Sequence, residues 1–83
     1  MKILVIIVSY NFERWIDRCL NSLRQSEQQA DVVVIDNASQ DRTVSLIESR
    51  DPEVRLIKSK ENLGFGRANN IGMKIALKEG YDA

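Results

Sequence analysis

The sequence predicts an α/β protein in which a parallel sheet lies between layers of helices, and three observations lead to this prediction. Two apolar runs, Ile3–Val8 and Val32–Ile35, are continuous rather than alternating, which is typical of strands covered on both faces. Segments with helical spacing of apolar residues separate the runs. Polar stretches with turn-forming residues follow the predicted strands. The element order is therefore β-α-β-α-β-α, and we expect a three-layer, Rossmann-like arrangement.

The first predicted strand, Ile3–Val8, leads directly into a helix. Apolar residues recur every three or four positions over Phe12–Leu23, so they form one stripe along a helix. Asn11 precedes this stripe and has the side chain of a good N-cap, with a ligand contact as its second role. Trp15 belongs to the stripe, and we expect it in the core.

The second predicted helix is short, with its apolar positions at Val44 and Ile47, and Asp41 or Thr43 opens it. An Asp-Pro pair ends it, since the residue before proline disfavours helix. The third apolar run, Val54–Lys58, is short and interrupted by charge. A proline just before it indicates an edge strand.

A third helix covers one face of the sheet and ends at Gly80, which supplies a left-handed C-terminal cap. Its sheet-facing side is formed by Ala68, Ile71, Gly72, Ile75 and Ala76. Two right-handed crossovers place the strands in the order 3-2-1. This order leaves the most apolar strand, Ile3–Val8, at an open edge, which natural sheets avoid. The sequence stops where a further strand would begin, so we expect residues 1–83 to be part of a longer domain.

The composition excludes several classes of function. Twelve basic and twelve acidic residues cancel, and no basic cluster is present, which argues against nucleic acid as a partner. The chain has no histidine and one cysteine, which excludes a thiolate–imidazole zinc site within one chain. Cys19 has no internal disulfide partner, which favours the reducing cytoplasm. No apolar stretch approaches the length of a membrane span.

Polar residues are concentrated where the three predicted strands end. These stretches are Ser9–Asn11, Asp36–Asp41 and Asn62–Asn70. In open parallel sheets, ligands bind beyond the carboxyl ends of the strands, next to the point where the strand order reverses. We therefore expect the three loops to share one rim and to form a binding site there.

The individual residues of the first two loops each have a structural and a functional interpretation. Asp36 directly follows a buried strand, and its carboxylate can accept the imino hydrogen of a pyrimidine base or a ribose hydroxyl. It can equally tie the following loop to backbone N–H groups. Asp41 is expected to cap the second helix, with Ser39 sharing that work. Ser9 and Tyr10 offer hydroxyls and a ring edge to a ligand, or form a strand-to-helix turn.

The third loop contains glycines at Gly64 and Gly66, where main chain can approach a ligand closely. It does not complete the dinucleotide-binding G-x-G-x-x-G pattern, because Asn69 occupies the third glycine position. Arg67 is positioned to pair with a phosphate or to brace the carboxylate after the second strand, with a solvated arginine as the alternative. Asn70 is expected to hydrogen-bond the loop backbone.

Three stretches together resemble the N-terminal signature of family-2 glycosyltransferases with the GT-A fold. They are Val5–Asn11, Val34–Thr43 and Glu61–Gly72, which read VIIVSYN, VIDNASQDRT and ENLGFGRANNIG. The third stretch is especially similar to the rhamnosyltransferase-like branch. Arg42 departs from the pattern, since the family usually has glycine at this position.

The resemblance implies an inverting transfer of a sugar from a nucleotide donor of the UDP, dTDP or GDP type to an acceptor hydroxyl in glycan synthesis. In this family pattern, Ser9, Tyr10 and Asn11 contact the base and ribose. Asp36 binds the edge of the base, and Arg67 lies near the base or the diphosphate. No catalytic residue and no metal ligand is expected in this chain.

The family's Asp-x-Asp motif, which holds Mg²⁺ or Mn²⁺ against the diphosphate, lies at the end of the next strand. Asp82 corresponds only to the approach to that strand. The carboxylate base that activates the acceptor comes later still. The resemblance thus implies that residues 1–83 are the nucleotide-sugar-binding portion of a cytoplasmic or membrane-associated parent, and are inactive alone.

The open edge also supports a different interpretation, a non-enzymatic association module. An exposed apolar strand is a template for pairing with another chain. We therefore expect the isolated chain to form a homodimer or larger species through residues 3–8.

Overall fold

The computed structural model is a three-stranded parallel sheet with three helices, and the structure describes residues 2–25 and 30–82. The elements are β1 (Leu4–Ser9), α1 (Ile16–Arg24), β2 (Asp31–Asp36), α2 (Thr43–Arg50), β3 (Arg55–Lys58) and α3 (Gly64–Lys78). The strands lie in the order β1-β2-β3 and both pairings are parallel. The predicted sheet order is confirmed.

The core consists of two layers, one on each face of the sheet. On one face, Leu4, Val33 and Ile35 pack against Ala68 of α3. On the other face, Val34 packs with residues of α1 and α2, which include Ile16, Leu20 and Ile47. Successive residues of β2 therefore point into different layers, and both layers are apolar. This is why the run in β2 is continuous, and it confirms the predicted three-layer arrangement.

Among the described residues, β1 pairs with β2 on one side and with no strand on its outer edge. The Asn37 N–H group donates to the Ser9 carbonyl oxygen (2.8 Å), so Ser9 directs its carbonyl toward β2. Alternate residues of a strand point their main-chain groups to opposite sides. In agreement with this, the Lys2 carbonyl oxygen points outward and accepts a hydrogen bond from the Asp82 N–H group (2.7 Å). The end of the described chain thus returns to the open edge of the sheet.

Helix α3 ends at the predicted glycine cap. Gly80 has a φ of 75°, in the left-handed region. The Tyr81 N–H group then donates to the Ala76 carbonyl oxygen (3.0 Å), which is the bond expected of a Schellman motif. This turn directs the chain back toward β1.

Two expectations for the first helix are wrong. Helix α1 begins at Ile16 rather than just after Asn11, and Asn11 has a φ of 49° with its side chain bonded elsewhere. Trp15 is 49% exposed instead of buried. Ile16 and Leu20 occupy the core positions of α1, and Trp15 precedes them by one helical step, which turns its ring away from the sheet.

Within the described residues, none of the helices has the length and apolar character needed to cross a bilayer.

Candidate functional site

Asp36 lies at the end of β2 and is the centre of a buried hydrogen-bond network. Its side chain is 2% exposed. The Ser9 hydroxyl (2.8 Å) and the Ser39 hydroxyl (2.6 Å) both donate to Oδ1, and the Ser39 N–H group donates to Oδ2 (2.9 Å). Ala38 adopts a φ of 61°, which turns Ser39 back toward the carboxylate. In this structure, therefore, Asp36 ties the loop after β2 and Ser9 orients it.

Asn11 joins the loop after β1 to the loop after β2. Its N–H group donates to the Ser39 hydroxyl oxygen (2.8 Å), and its side-chain oxygen accepts from the Gln40 N–H group (2.8 Å). Ser39 therefore bridges Asn11 and Asp36 and does not share the capping of α2. Tyr10 lies between Ser9 and Asn11, both of which are hydrogen-bonded to the loop after β2. It is 48% exposed and presents its ring at the rim.

The Asp41 carboxylate accepts hydrogen bonds at the N-terminus of α2. Its Oδ1 accepts hydrogen bonds from the Thr43 N–H group (2.9 Å) and the Thr43 hydroxyl (2.5 Å), and its Oδ2 accepts from the Glu13 N–H group (3.1 Å). Desolvation is the largest single influence and raises the pKa of Asp41. The hydrogen bonds from Thr43, from the Glu13 N–H and from its own N–H together outweigh it, so the pKa lies below its usual 3.8.

Asp41→Asn is expected to destabilise the domain at neutral pH by about 1 kcal/mol, because charge-assisted hydrogen bonds are replaced by weaker neutral ones. The folded-state pKa is lowered, so the stabilisation is complete above 3.8 and is lost as the pH falls through the folded pKa. Urea unfolding of both proteins at about pH 7 and about pH 3 measures this difference. Glu61→Gln, at an exposed position, is the control. If the two proteins differ in free energy of unfolding by the same amount at both pH values, the ionised Asp41 carboxylate is not the source of the stabilisation.

Asn37 connects the loop after β2 to the start of α3, and it was not among the residues expected at the site. Its side-chain nitrogen donates to the Gly64 carbonyl oxygen (3.3 Å), and its side-chain oxygen accepts from the Leu63 N–H group (3.3 Å). The residue is buried. The available signal was an amide two positions after the apolar run Val32–Ile35, where the chain is still buried, since buried amides need partners. Asn37 thus brings the third loop to the same rim.

The residues of the third loop have different roles. Gly64 has a φ of 79°, which favours glycine, and it begins α3. Gly66 lies inside the helix without a positive φ, and the space around it is open. Asn70 is exposed on α3, and no hydrogen bond joins it to the loop backbone among the described residues. Arg67 is exposed in the first turn of α3, and Phe65 beside it is largely exposed.

The described residues do not form a site for a divalent metal ion. No group of three or more His, Cys, Asp or Glu side chains with suitable placement occurs among residues 2–25 and 30–82. The Asp36 and Asp41 carboxylates are already occupied by hydroxyl and N–H donors. The described part of the rim therefore offers hydrogen-bonding groups, an exposed tyrosine and an arginine.

Residues 4–81 match the model of the family described as Glycosyl transferase family 2. The chain belongs to glycosyltransferase family 2. The match covers all six secondary-structure elements, and it includes the three loops that form the rim.

Named relatives and solved structures of glycosyltransferases agree with this assignment. The chain is 34% identical to an undecaprenyl-phosphate mannosyltransferase of Micrococcus luteus, over 99% of this chain and 35% of the relative. The structure of S. aureus TarS 1-349 superposes with a TM-score of 0.79 at 31% identity, over 89% of this chain and 24% of that chain. The mannosyltransferase PcManGT from Pyrobaculum calidifontis, in complex with GDP-Man and Mn²⁺, gives 0.80 at 26% identity, over 90% and 24%. The GT-A-like fold is confirmed, and the chain spans about a quarter to a third of the length of each of these three matched chains.

Proposed function

We propose that this chain is the nucleotide-sugar-binding part of an inverting glycosyltransferase that transfers a sugar to an acceptor hydroxyl in glycan or polysaccharide synthesis. The observation that carries the proposal is the joining of three loops at one rim, through the Ser9–Asp36 bond (2.8 Å) and the Asn37–Gly64 bond (3.3 Å). This rim lies at the carboxyl ends of the strands, where open α/β sheets bind ligands. The GDP-Man in the PcManGT complex supports a nucleotide-sugar donor.

Each rim residue has a distinct role in the proposal. Tyr10 offers its exposed ring to the base, and Asn11 holds the loop that carries it. Asp36 accepts a hydrogen bond from the edge of the base after the Ser39 hydroxyl rotates away from Oδ1. Ser9 keeps the carboxylate in place. Arg67 pairs with the base or diphosphate from the first turn of α3.

The remaining parts of the activity are proposed to come from the parent protein. Residues 1–83 form the N-terminal donor-binding portion, and they are inactive alone. An Asp-x-Asp motif outside this segment holds Mg²⁺ or Mn²⁺, and the catalytic base follows it. The stretch Glu61–Gly72 supports the rhamnosyltransferase-like branch, and the unpaired Cys19 supports a cytoplasmic location.

Titration of ¹⁵N-labelled chain with UDP, dTDP and GDP tests donor binding. We expect weak binding to one of them, because the diphosphate lacks its metal, with shift changes concentrated at the rim. Arg67→Gln is expected to weaken binding about tenfold, since a charge-assisted hydrogen bond contributes about 1.5–3 kcal/mol. Lys74→Gln, an exposed cation further along α3, is the matched control. Absence of binding to all three nucleotides would reject the proposal for this chain, and equal effects of both substitutions would reject the role of Arg67.

A second candidate function is self-association through β1, and the free outer edge of this strand favours it. Leu4, Ile6 and Val8 direct their main-chain groups outward by the strand alternation, whereas the Lys2 carbonyl is already paired with Asp82. Sedimentation velocity at micromolar concentration is expected to show a dimer. A monomer under these conditions rejects this candidate.

A further inference from the structure

Helix α1 carries an exposed aromatic surface that the proposed donor site does not use. Phe12, Trp15, Arg18, Cys19 and Ser22 line an open, mainly apolar hollow of about 340 Å³, here called the α1 patch. Trp15 is half exposed, which is unusual for the only tryptophan of a small domain. An exposed apolar surface of this kind indicates an interaction site when polar groups surround it.

The charges around the α1 patch are unbalanced, although the chain as a whole is neutral. Glu13 pairs with Arg42 (3.0 Å), and Asp17 pairs with Arg50. Arg14 and Arg18 are exposed and have no acidic partner among the described residues. The local acidic groups are therefore neutralised while two arginines remain available.

Trp15 and Arg18 also act as a pair. The Arg18 guanidinium carbon lies 5.5 Å from the centre of the Trp15 ring, within the range of a cation–π contact. Tryptophan prefers the polar–apolar boundary of a bilayer, and arginine can leave its aliphatic stem in an apolar layer while its charged end contacts phosphate. A surface that combines the two with a shallow apolar hollow matches the chemistry of a lipid headgroup region.

We propose that the α1 patch docks the protein on an anionic membrane surface. Trp15 inserts at the level of the headgroups, beside the half-buried Phe12 that packs on the core, and Arg14 and Arg18 contact lipid phosphates. Phe12 directly follows Asn11, so docking holds the rim close to the bilayer. The proposal does not depend on nucleotide binding and is tested without nucleotide.

Helix α3 is the competing surface. It exposes Met73 and Leu77 beside Lys74 and Lys78, and it lies on the opposite face of the sheet. A bilayer cannot contact both faces of the sheet at once. The single tryptophan of the chain, however, lies at the start of α1 and in contact with Arg18. We therefore assign docking to α1 and use the lysines of α3 as the charge-matched control.

The single tryptophan makes the test direct, because its fluorescence reports on the α1 patch alone. Vesicles of equal parts phosphatidylcholine and phosphatidylglycerol are expected to shift Trp15 emission to the blue and to co-sediment the protein, with much weaker effects of pure phosphatidylcholine. Arg14→Gln with Arg18→Gln is expected to weaken binding roughly 25-fold, about fivefold for each cation. Lys74→Gln with Lys78→Gln is expected to leave the affinity unchanged. Circular dichroism verifies that each variant is folded.

Three outcomes would overturn the proposal. The first is no blue shift and no co-sedimentation with the anionic vesicles. The second is equal binding to the neutral vesicles, or an equal loss of binding in the lysine variant, which would assign docking to α3. The third is a blue shift that appears without vesicles as protein concentration rises, which would assign the patch to a protein contact.

Discussion

Replacing Gly72 with alanine is expected to destabilise the domain by a net of about 1–2 kcal/mol, after the helix propensity of alanine is subtracted from an overpacking cost of about 2–3 kcal/mol. Gly72 is buried in α3 directly above Ile6 of β1. A Cβ atom at this position would lie 2.6 Å, 2.9 Å and 3.0 Å from three atoms of the Ile6 side chain. Alanine favours helix over glycine by about 1 kcal/mol, but that gain is smaller than the cost of separating α3 from the sheet. A domain of this size has a small free energy of unfolding. Urea unfolding is therefore expected to show that the substitution removes a large fraction of it.

Gly66→Ala is the matched control, because it makes the same substitution in the same helix. No atom lies within 4 Å of the added Cβ position at Gly66. The helix propensity of alanine therefore acts alone, and stability should increase by about 0.5–1 kcal/mol. Ile6→Ala removes all three crowded atoms, so the losses caused by Gly72→Ala and Ile6→Ala are expected to be less than additive in the double variant. A Gly72→Ala protein as stable as the Gly66→Ala protein would show that the α3–β1 contact adapts.

The fold could be predicted from the sequence because its signals are local or follow from general rules of handedness. The run Val32–Ile35 is apolar on both faces, and the structure places its residues in both layers of the core. Gly80 is followed by the bond that a left-handed cap requires. The strand order follows from right-handed crossovers alone.

The start of α1 could not be predicted in this way, because its determinants are distant in sequence. Asn11 was expected to cap the helix from its position before an apolar stripe. Its side chain instead accepts from the Gln40 N–H group, a residue 29 positions away. Once Asn11 is held there with a positive φ, α1 starts later and Trp15 turns outward. The spacing of residues around Asn11 does not indicate that its side chain bonds to Gln40.

The location of the candidate site could be predicted from the sequence better than the hydrogen-bonding role of each residue in it. Ser9 and Asp36 were expected at one rim, and they are hydrogen-bonded there. The link through Asn37 to Gly64 was not foreseen, since an amide after a strand has many possible partners. Sequence identifies which loops meet, whereas the side chain that joins them depends on side-chain directions at the end of the sheet.

Asp36→Asn is expected to weaken nucleotide binding at least tenfold and to reduce stability by about 1–3 kcal/mol. The amide oxygen can still accept from the Ser9 and Ser39 hydroxyls. The new NH₂ group, however, faces the Ser39 N–H donor, which now bonds to Oδ2 at 2.9 Å. A neutral amide is also a weaker acceptor for the polarised hydrogen of a base than a carboxylate.

Comparison with Ser39→Ala separates the two interpretations of Asp36. That substitution removes the hydroxyl bond of 2.6 Å to Oδ1 and the bond of 2.8 Å that the hydroxyl accepts from the Asn11 N–H group, but it leaves the carboxylate and the Ser39 N–H bond intact. If Asp36 only ties the loop, the two variants should lose affinity in proportion to their loss of stability. If the carboxylate contacts the base, Ser39→Ala should retain binding or bind more tightly, because it frees Oδ1 for the ligand. Nucleotide affinities and unfolding free energies, measured for the same two variants, distinguish these interpretations. An Asp36→Asn protein that binds nucleotide like the original chain would exclude a contact between the carboxylate and the base.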